Sequence, residues 1–156
     1  GVLAHHLGAD QVNVVNSMHL AKERSVNIVV NKTSIAKDFT NLVTVSLRTE
    51  EVERKVSGAL MTGYGPRIVQ IDNYPVDVAP EGNLLLVSHT DKPGIIGSVG
   101  TLLGNNDVNI ATMQVGRKLA GGDALMVLTV DKQVPASVID DIVKLPELHK
   151  AKVISL

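Results

Sequence analysis

The 156-residue sequence predicts an α+β protein of two small domains, residues 1–82 and 83–156. Three observations carry this. The stretch from Asn73-Tyr74-Pro75 to Ala79-Pro80-Glu81-Gly82 is rich in turn residues and interrupts the apolar pattern. Downstream of it, apolar segments switch between the period of a strand and that of a helix in the order β-α-β-β-α-β. Upstream, a helical stretch precedes several strand-like runs. Charge does not mark the boundary: the first 82 residues carry 8 basic and 9 acidic groups, the rest 7 and 7.

In the second domain, Leu84 to Val87 is a continuous apolar run, as expected of a buried strand. Asp91-Lys92-Pro93-Gly94 is a helix-start signal, with Asp91 placed to cap. Ile95, Ile96, Val99, Leu102 and Leu103 then fall on one helix face, and Gly104-Asn105-Asn106 ends it. From Asn109 to Val115 the pattern alternates, with Ala111, Met113 and Val115 on one side. Ala120-Gly121-Gly122-Asp123 is a turn before the apolar strand Ala124 to Val130. Pro135 opens a second helix striped by Val138, Ile139, Ile142 and Val143, and Lys152-Val153-Ile154 suits a last strand. One sheet with two helices on one face is the ferredoxin-like arrangement. Leu125 and Val127 are expected to point away from those helices and to need cover from a second copy.

The first domain is less regular. Gly1 to Leu7 reads as the tail of a helix, so this domain is expected to be a truncated, mixed α+β unit cut from a longer protein. Asp10 to Arg24 reads as a helix. Val26 to Val30, Leu42 to Leu47, Val52 to Leu60 and Arg67 to Ile71 read as strands, the last two joined by a turn at Gly63-Tyr64-Gly65-Pro66.

Composition narrows the function. Apolar residues make up 44% of the chain, enough for a core, and aromatics only 2%, which argues against stacking nucleic-acid bases. The net charge of −1 offers no basic field for phosphate backbones or anionic lipid, so neither nucleic acid nor membrane is an expected partner. Without cysteine, disulfide scaffolds and thiol catalysis are out. No secretory leader is visible, so Asn31-Lys32-Thr33 reads as a chance glycosylation match and a cytoplasmic location is expected. No nucleophile elbow, zinc-protease pair or phosphate loop is present, and no catalytic residue or metal site is expected. The adjacent His5 and His6 diverge on a helix and make poor joint ligands, while His19 and His149 suit a solvated surface.

Two clusters could hold a ligand. His89 lies at a strand end, two residues before Asp91, with Gly94 and Gly97 leaving backbone open and Asn109 starting the next strand. Backbone N–H groups at a helix start favour a carboxylate, and an asparagine amide both donates and accepts. The same residues also fit a cap, a turn and a surface histidine. In the first domain, Lys55, Ser57, Gly58 and Arg67 could receive a small phosphorylated or carboxylated effector, or could line a solvated strand face.

His89-Thr90-Asp91-Lys92-Pro93-Gly94-Ile95-Ile96-Gly97 and Asn109-Ile110-Ala111 resemble the ACT domain, an amino-acid-sensing module. Met113 to Arg117 with Gly121 to Leu128, and upstream Val14-Val15-Asn16-Ser17, Leu20 to Arg24, Ser57 to Leu60 and Pro66 to Ile71, are similar to the C-terminal regulatory region of the D-3-phosphoglycerate dehydrogenase family, in which an allosteric-substrate-binding domain precedes the ACT domain. The resemblance implies an NAD-dependent oxidoreductase of serine synthesis as the parent. Its cofactor site and catalytic residues would lie outside this chain, which itself would hold no cofactor. It implies feedback inhibition by L-serine bound between the ACT domains of a homodimer or tetramer. His89 and Asp91, with the helix start at Gly94, Ile95 and Gly97, would come from one subunit and Asn109 from the other. It also implies an anionic effector near Arg67, although Tyr74 and Ala79 stand where some relatives carry arginine. The regulatory region of an L-serine dehydratase, or an assembly module without ligand, are the competing expectations.

Overall fold

The computed structural model describes residues 2–8, 10–33, 39 and 41–156. These form two compact units, residues 1–36 and 37–156. The expected helix tail is the helix α1 (Val2–Leu7); Gly1 and the side chains of His5 and His6 lie outside what is described.

Only Ser17–Glu23 of the helix expected over Asp10 to Arg24 forms, as α2. The two asparagines before it explain the loss. Asn13 Oδ1 accepts the N–H groups of Val15 (2.9 Å) and Asn16 (3.0 Å), and Asn16 Oδ1 accepts that of Asn13 (2.8 Å). Short polar side chains that satisfy nearby backbone donors compete with helical hydrogen bonds. Val14 and Val15 are 94% and 92% exposed, so no buried face offsets that competition. Val26 to Val30, expected as a strand, has no strand partner among the described residues. High β-propensity needs a neighbour to pair with before it makes a strand.

The second unit begins with an antiparallel meander of β1 (Val43–Arg48), β2 (Glu53–Met61), β3 (Gly65–Ile71) and β4 (Tyr74–Val78). The first three match the expected runs. The fourth lies where the sequence is rich in turn residues, with Pro75 inside it and Pro80 just after. As the edge strand of the sheet, β4 tolerates a residue that cannot donate. Asp72 turns the β3–β4 hairpin at φ 52°. Its carboxylate accepts the Lys55 N–H (3.0 Å) and Arg54 Nε (3.1 Å), so the turn is tied to β2. Asp72→Ala is expected to cost about 1–2 kcal/mol, combining lost hydrogen bonds with left-handed backbone strain. Asp72→Asn should lose less, because asparagine tolerates that backbone. Urea unfolding of both variants is the check, and an alanine variant as stable as the asparagine one would contradict it.

The rest of the unit is β5 (Asn83–Thr90), α3 (Ile95–Asn105), β6 (Ile110–Arg117), β7 (Asp123–Val130), α4 (Ala136–Lys144) and β8 (Leu148–Ser155). Its four strands lie in the order β6-β7-β5-β8, every pair antiparallel, which is the ferredoxin-like sheet the element order predicts. One face carries both helices over a core of Leu85, Val87, Val99, Leu103, Met126, Leu128, Val138 and Ile142. A register shift between Ile110 and Thr112 changes the alternation expected in β6. Ile110, Met113 and Val115 pack on this core, while Ala111 is exposed.

The opposite face is also dry. Leu125 (5% exposed) and Val127 (1%) pack with Leu84 against Ile71, Val76 and Val78 of the first sheet. The expectation that a second copy covers them is therefore corrected: β3 and β4 of the same chain do so. The two sheets approach closely at Gly116, where an added Cβ would stand 2.4 Å from the Pro75 carbonyl oxygen. Beside this contact Lys118 Nζ lies 5.7 Å from the centre of the Tyr74 ring. Among the described residues, no helix is long and apolar enough to cross a membrane.

Candidate functional site

At the C-terminal end of β5 the chain turns into α3 without a side-chain cap. Gly94, at φ 92°, is the residue before the helix, and its carbonyl accepts both the N–H (2.9 Å) and the hydroxyl (3.1 Å) of Ser98. Asp91 does not cap. Its carboxylate turns toward the β6–β7 turn, where Oδ2 accepts Arg117 Nη1 at 2.8 Å and the Gly121 N–H at 3.3 Å. Its own N–H donates to the Gly122 carbonyl (2.8 Å). The Arg117 hydrogen bond, then that of Gly121, holds the Asp91 carboxyl below its ordinary value of 3.8.

His89 is not on the surface, one of the readings open from sequence. It is 2% exposed; Nδ1 lies 2.9 Å from the Thr90 carbonyl and Nε2 is buried without a hydrogen-bond partner among the described residues. Ile95 is buried in the core, so only its backbone faces the helix start. A Cβ at Gly97 would meet nothing within 4 Å, so packing within the chain does not demand glycine there. Beside the helix start lies a shallow pocket of about 260 Å³, lined by Lys92, Pro93, Gly94, Ser98, Pro146 and Glu147 among others. An ion pair from Lys92 to Glu147 runs along it, and Thr90 Oγ1 meets His149 Nε2 at 3.1 Å nearby.

Asn109 is elsewhere. Its Nδ2 donates to Asp131 Oδ2 at 2.7 Å, just before β6. Ile110 pairs with Val130 at that end of the sheet, whereas Arg117 pairs with Ala124 and Thr90 with Asp123 at the other. At about 3.3 Å per residue the two ends are roughly 23 Å apart. A single chain therefore does not bring Asp91 and Asn109 together. Arg117, Gly121 and Gly122 were not singled out as site residues from sequence. They are 26 to 31 positions from Asp91, and no local pattern signals such a contact.

In the first sheet, Arg67 is held by Asp77: Nε donates to its Oδ1 (2.6 Å) and Nη2 to its carbonyl (3.0 Å). Ser57 is buried, its hydroxyl 2.9 Å from that of Thr44, and Gly58 sits at a register shift close to the Arg67 carbonyl. Lys55 lies four strand positions from Ala59, the residue opposite Arg67, or roughly 13 Å along β2. The structure thus spreads these residues out and pairs the arginine with a carboxylate of its own chain.

Residues 1–72 match the D-3-phosphoglycerate dehydrogenase intervening domain and residues 83–147 the ACT domain. The chain is 36% identical over all of its 156 residues to a protein named D-3-phosphoglycerate dehydrogenase from Synechocystis. Over 93% of its length it is 36% identical to one of that name from Bacillus subtilis and 38% identical to one from Methanocaldococcus jannaschii. It spans only 28%, 28% and 27% of those relatives. With both domain matches in tandem, the chain belongs to the D-3-phosphoglycerate dehydrogenase family as its C-terminal regulatory region, with an ACT domain.

Proposed function

We propose that this chain is the serine-sensing part of an NAD-dependent D-3-phosphoglycerate dehydrogenase, with residues 1–82 and 83–156 as its two regulatory domains. L-serine would bind between two ACT domains and inhibit the parent enzyme. The observation that carries the reading is the placement of Asp91 and Asn109 at opposite ends of one sheet whose edge strand, β6, has no strand neighbour on its outer side among the described residues. Two copies joined antiparallel along β6 would set the start of one strand beside the end of the other. Asn109 of the partner subunit would then stand near Arg117 and Asp91. The Asp91 carboxylate receives the ammonium, the partner's Asn109 adds an amide, and the open backbone from Gly94 to Gly97 admits the small hydroxyl or carboxylate. Each ligand would bridge the dimer, so binding and association are linked.

Residues for hydride transfer do not belong to this reading of the chain. Among the described residues every strand pairing is antiparallel, with no parallel strand pair and glycine-rich turn to cradle a dinucleotide. The nicotinamide site would lie in the part of the parent outside these residues. The test combines calorimetry with light scattering on the 156-residue chain. We expect saturable heat with L-serine and a dimer at tens of micromolar. A monomer that takes up no serine at millimolar concentration would sink the proposal.

A further inference from the structure

We infer that Arg117 is itself a ligand-binding residue: its guanidinium takes the carboxylate of the amino acid whose ammonium rests on Asp91. The inference rests on the serine reading above and adds to it the group that recognises the ligand as a zwitterion.

Arg117 ends β6, and Asp91 follows β5 across the width of β7. Nη1 of the arginine is used on Asp91 Oδ2. Its Nε and Nη2 make no hydrogen bond among the described residues, and the side chain is 57% exposed. Asp91 Oδ1 is likewise without a bond there, while Oδ2 carries both contacts. A vacant donor edge and a vacant acceptor atom thus stand side by side at the sheet end. An α-amino acid carries the complementary pair, one carboxylate and one ammonium on adjacent atoms. The arginine end of this ion pair is open to solvent, which limits what the pair adds to stability. A planar guanidinium can hold one carboxylate with Nη1 and another with its remaining edge. In the edge-to-edge arrangement proposed for β6, this position also faces Asn109 of the partner subunit, so the arginine lies between the two residues the site needs.

The opposite role makes the opposite prediction. If Arg117 merely occupies Asp91, it competes with the ammonium, and removing it tightens binding. Calorimetric titration of the whole chain with L-serine and with L-serinamide, which keeps the ammonium and lacks the carboxylate charge, separates the two. We expect the unsubstituted chain to prefer serine over serinamide by about tenfold or more, the scale of a charge-assisted hydrogen bond. Arg117→Gln should weaken serine by about tenfold or more while leaving serinamide within about twofold, so that the preference collapses. Arg117→Lys should retain part of it. Unchanged or tighter serine binding in Arg117→Gln overturns the inference and leaves the serine site standing. An unsubstituted chain that ignores serine overturns the site and the inference together. Circular dichroism of each variant confirms that the fold is kept.

Discussion

Gly116→Ala will destabilise the protein by about 2–3 kcal/mol, although alanine suits a strand better than glycine does. The added methyl would stand 2.4 Å from the Pro75 carbonyl oxygen and 3.0 Å from the Tyr74 Cβ. A backbone oxygen cannot swing aside as a long side chain does, so β4 must lift from the second sheet. Lifting it loosens the apolar layer that Val76 and Val78 form with Leu125 and Val127. At roughly 2–4 °C per kcal/mol for a chain of this size, the unfolding midpoint should fall by about 4–12 °C. Gly97→Ala is the control. Nothing lies within 4 Å of a Cβ there, and alanine should raise the midpoint through helix propensity alone. A Gly116→Ala protein that melts with the wild type would mean that the two sheets do not meet at this distance.

The second large effect concerns the ligand. Asp91→Asn is expected to weaken L-serine binding at least tenfold, because the ammonium loses its charged partner. Since Asp91 caps no helix, the substitution carries no capping penalty. Asn109→Ala should weaken serine by roughly tenfold through the loss of its amide. It also frees Asp131, which the amide now holds. The pH dependence follows from the lowered Asp91 carboxyl. A carboxylate whose folded value lies below its unfolded one contributes fully above the unfolded value and loses that contribution as pH falls through the folded one. Serine binding needs Asp91 ionised in the ligand-free folded protein, so affinity should stay level from neutral pH down to the ordinary value of 3.8 and decline only below it. Calorimetry across that range is the measurement; a decline centred near pH 6 would point to a histidine in place of Asp91.

The second sheet was legible because its sequence obeys local rules nearly everywhere. Leu84 to Val87 and Ala124 to Val130 are apolar runs of strand length, Ile95 to Leu103 keeps helical spacing, and Gly104 and Gly121 punctuate them. Where the reading failed, a non-local or side-chain effect had won. Pro75 looked like a turn residue because its tolerance depends on lying at a sheet edge, and that is a property of the assembled sheet. The helix before Ser17 was lost to hydrogen bonds of Asn13 and Asn16 that a hydrophobic pattern does not record. The proposed ligand site followed the same division. His89, Asp91, Gly94, Gly97 and Asn109 were candidates that the motif alone could offer. Asp91 nevertheless turned to Arg117 rather than to the helix start, and the distance separating Asp91 from Asn109 emerged only from the strand register.

The turn that carries Gly121 and Gly122 is held on two sides. On one side it grips Asp91 through a carboxylate and a backbone hydrogen bond, and on the other Lys118 reaches over Tyr74 in β4. Asp91 is thus joined to β4 by a short path, from the turn through the Lys118 side chain to the Tyr74 ring. The close backbone contact at Gly116 lies beside that path. A substitution in this turn therefore touches both the surroundings of Asp91 and the contact between the sheets, so its effects on binding and on unfolding are to be measured together.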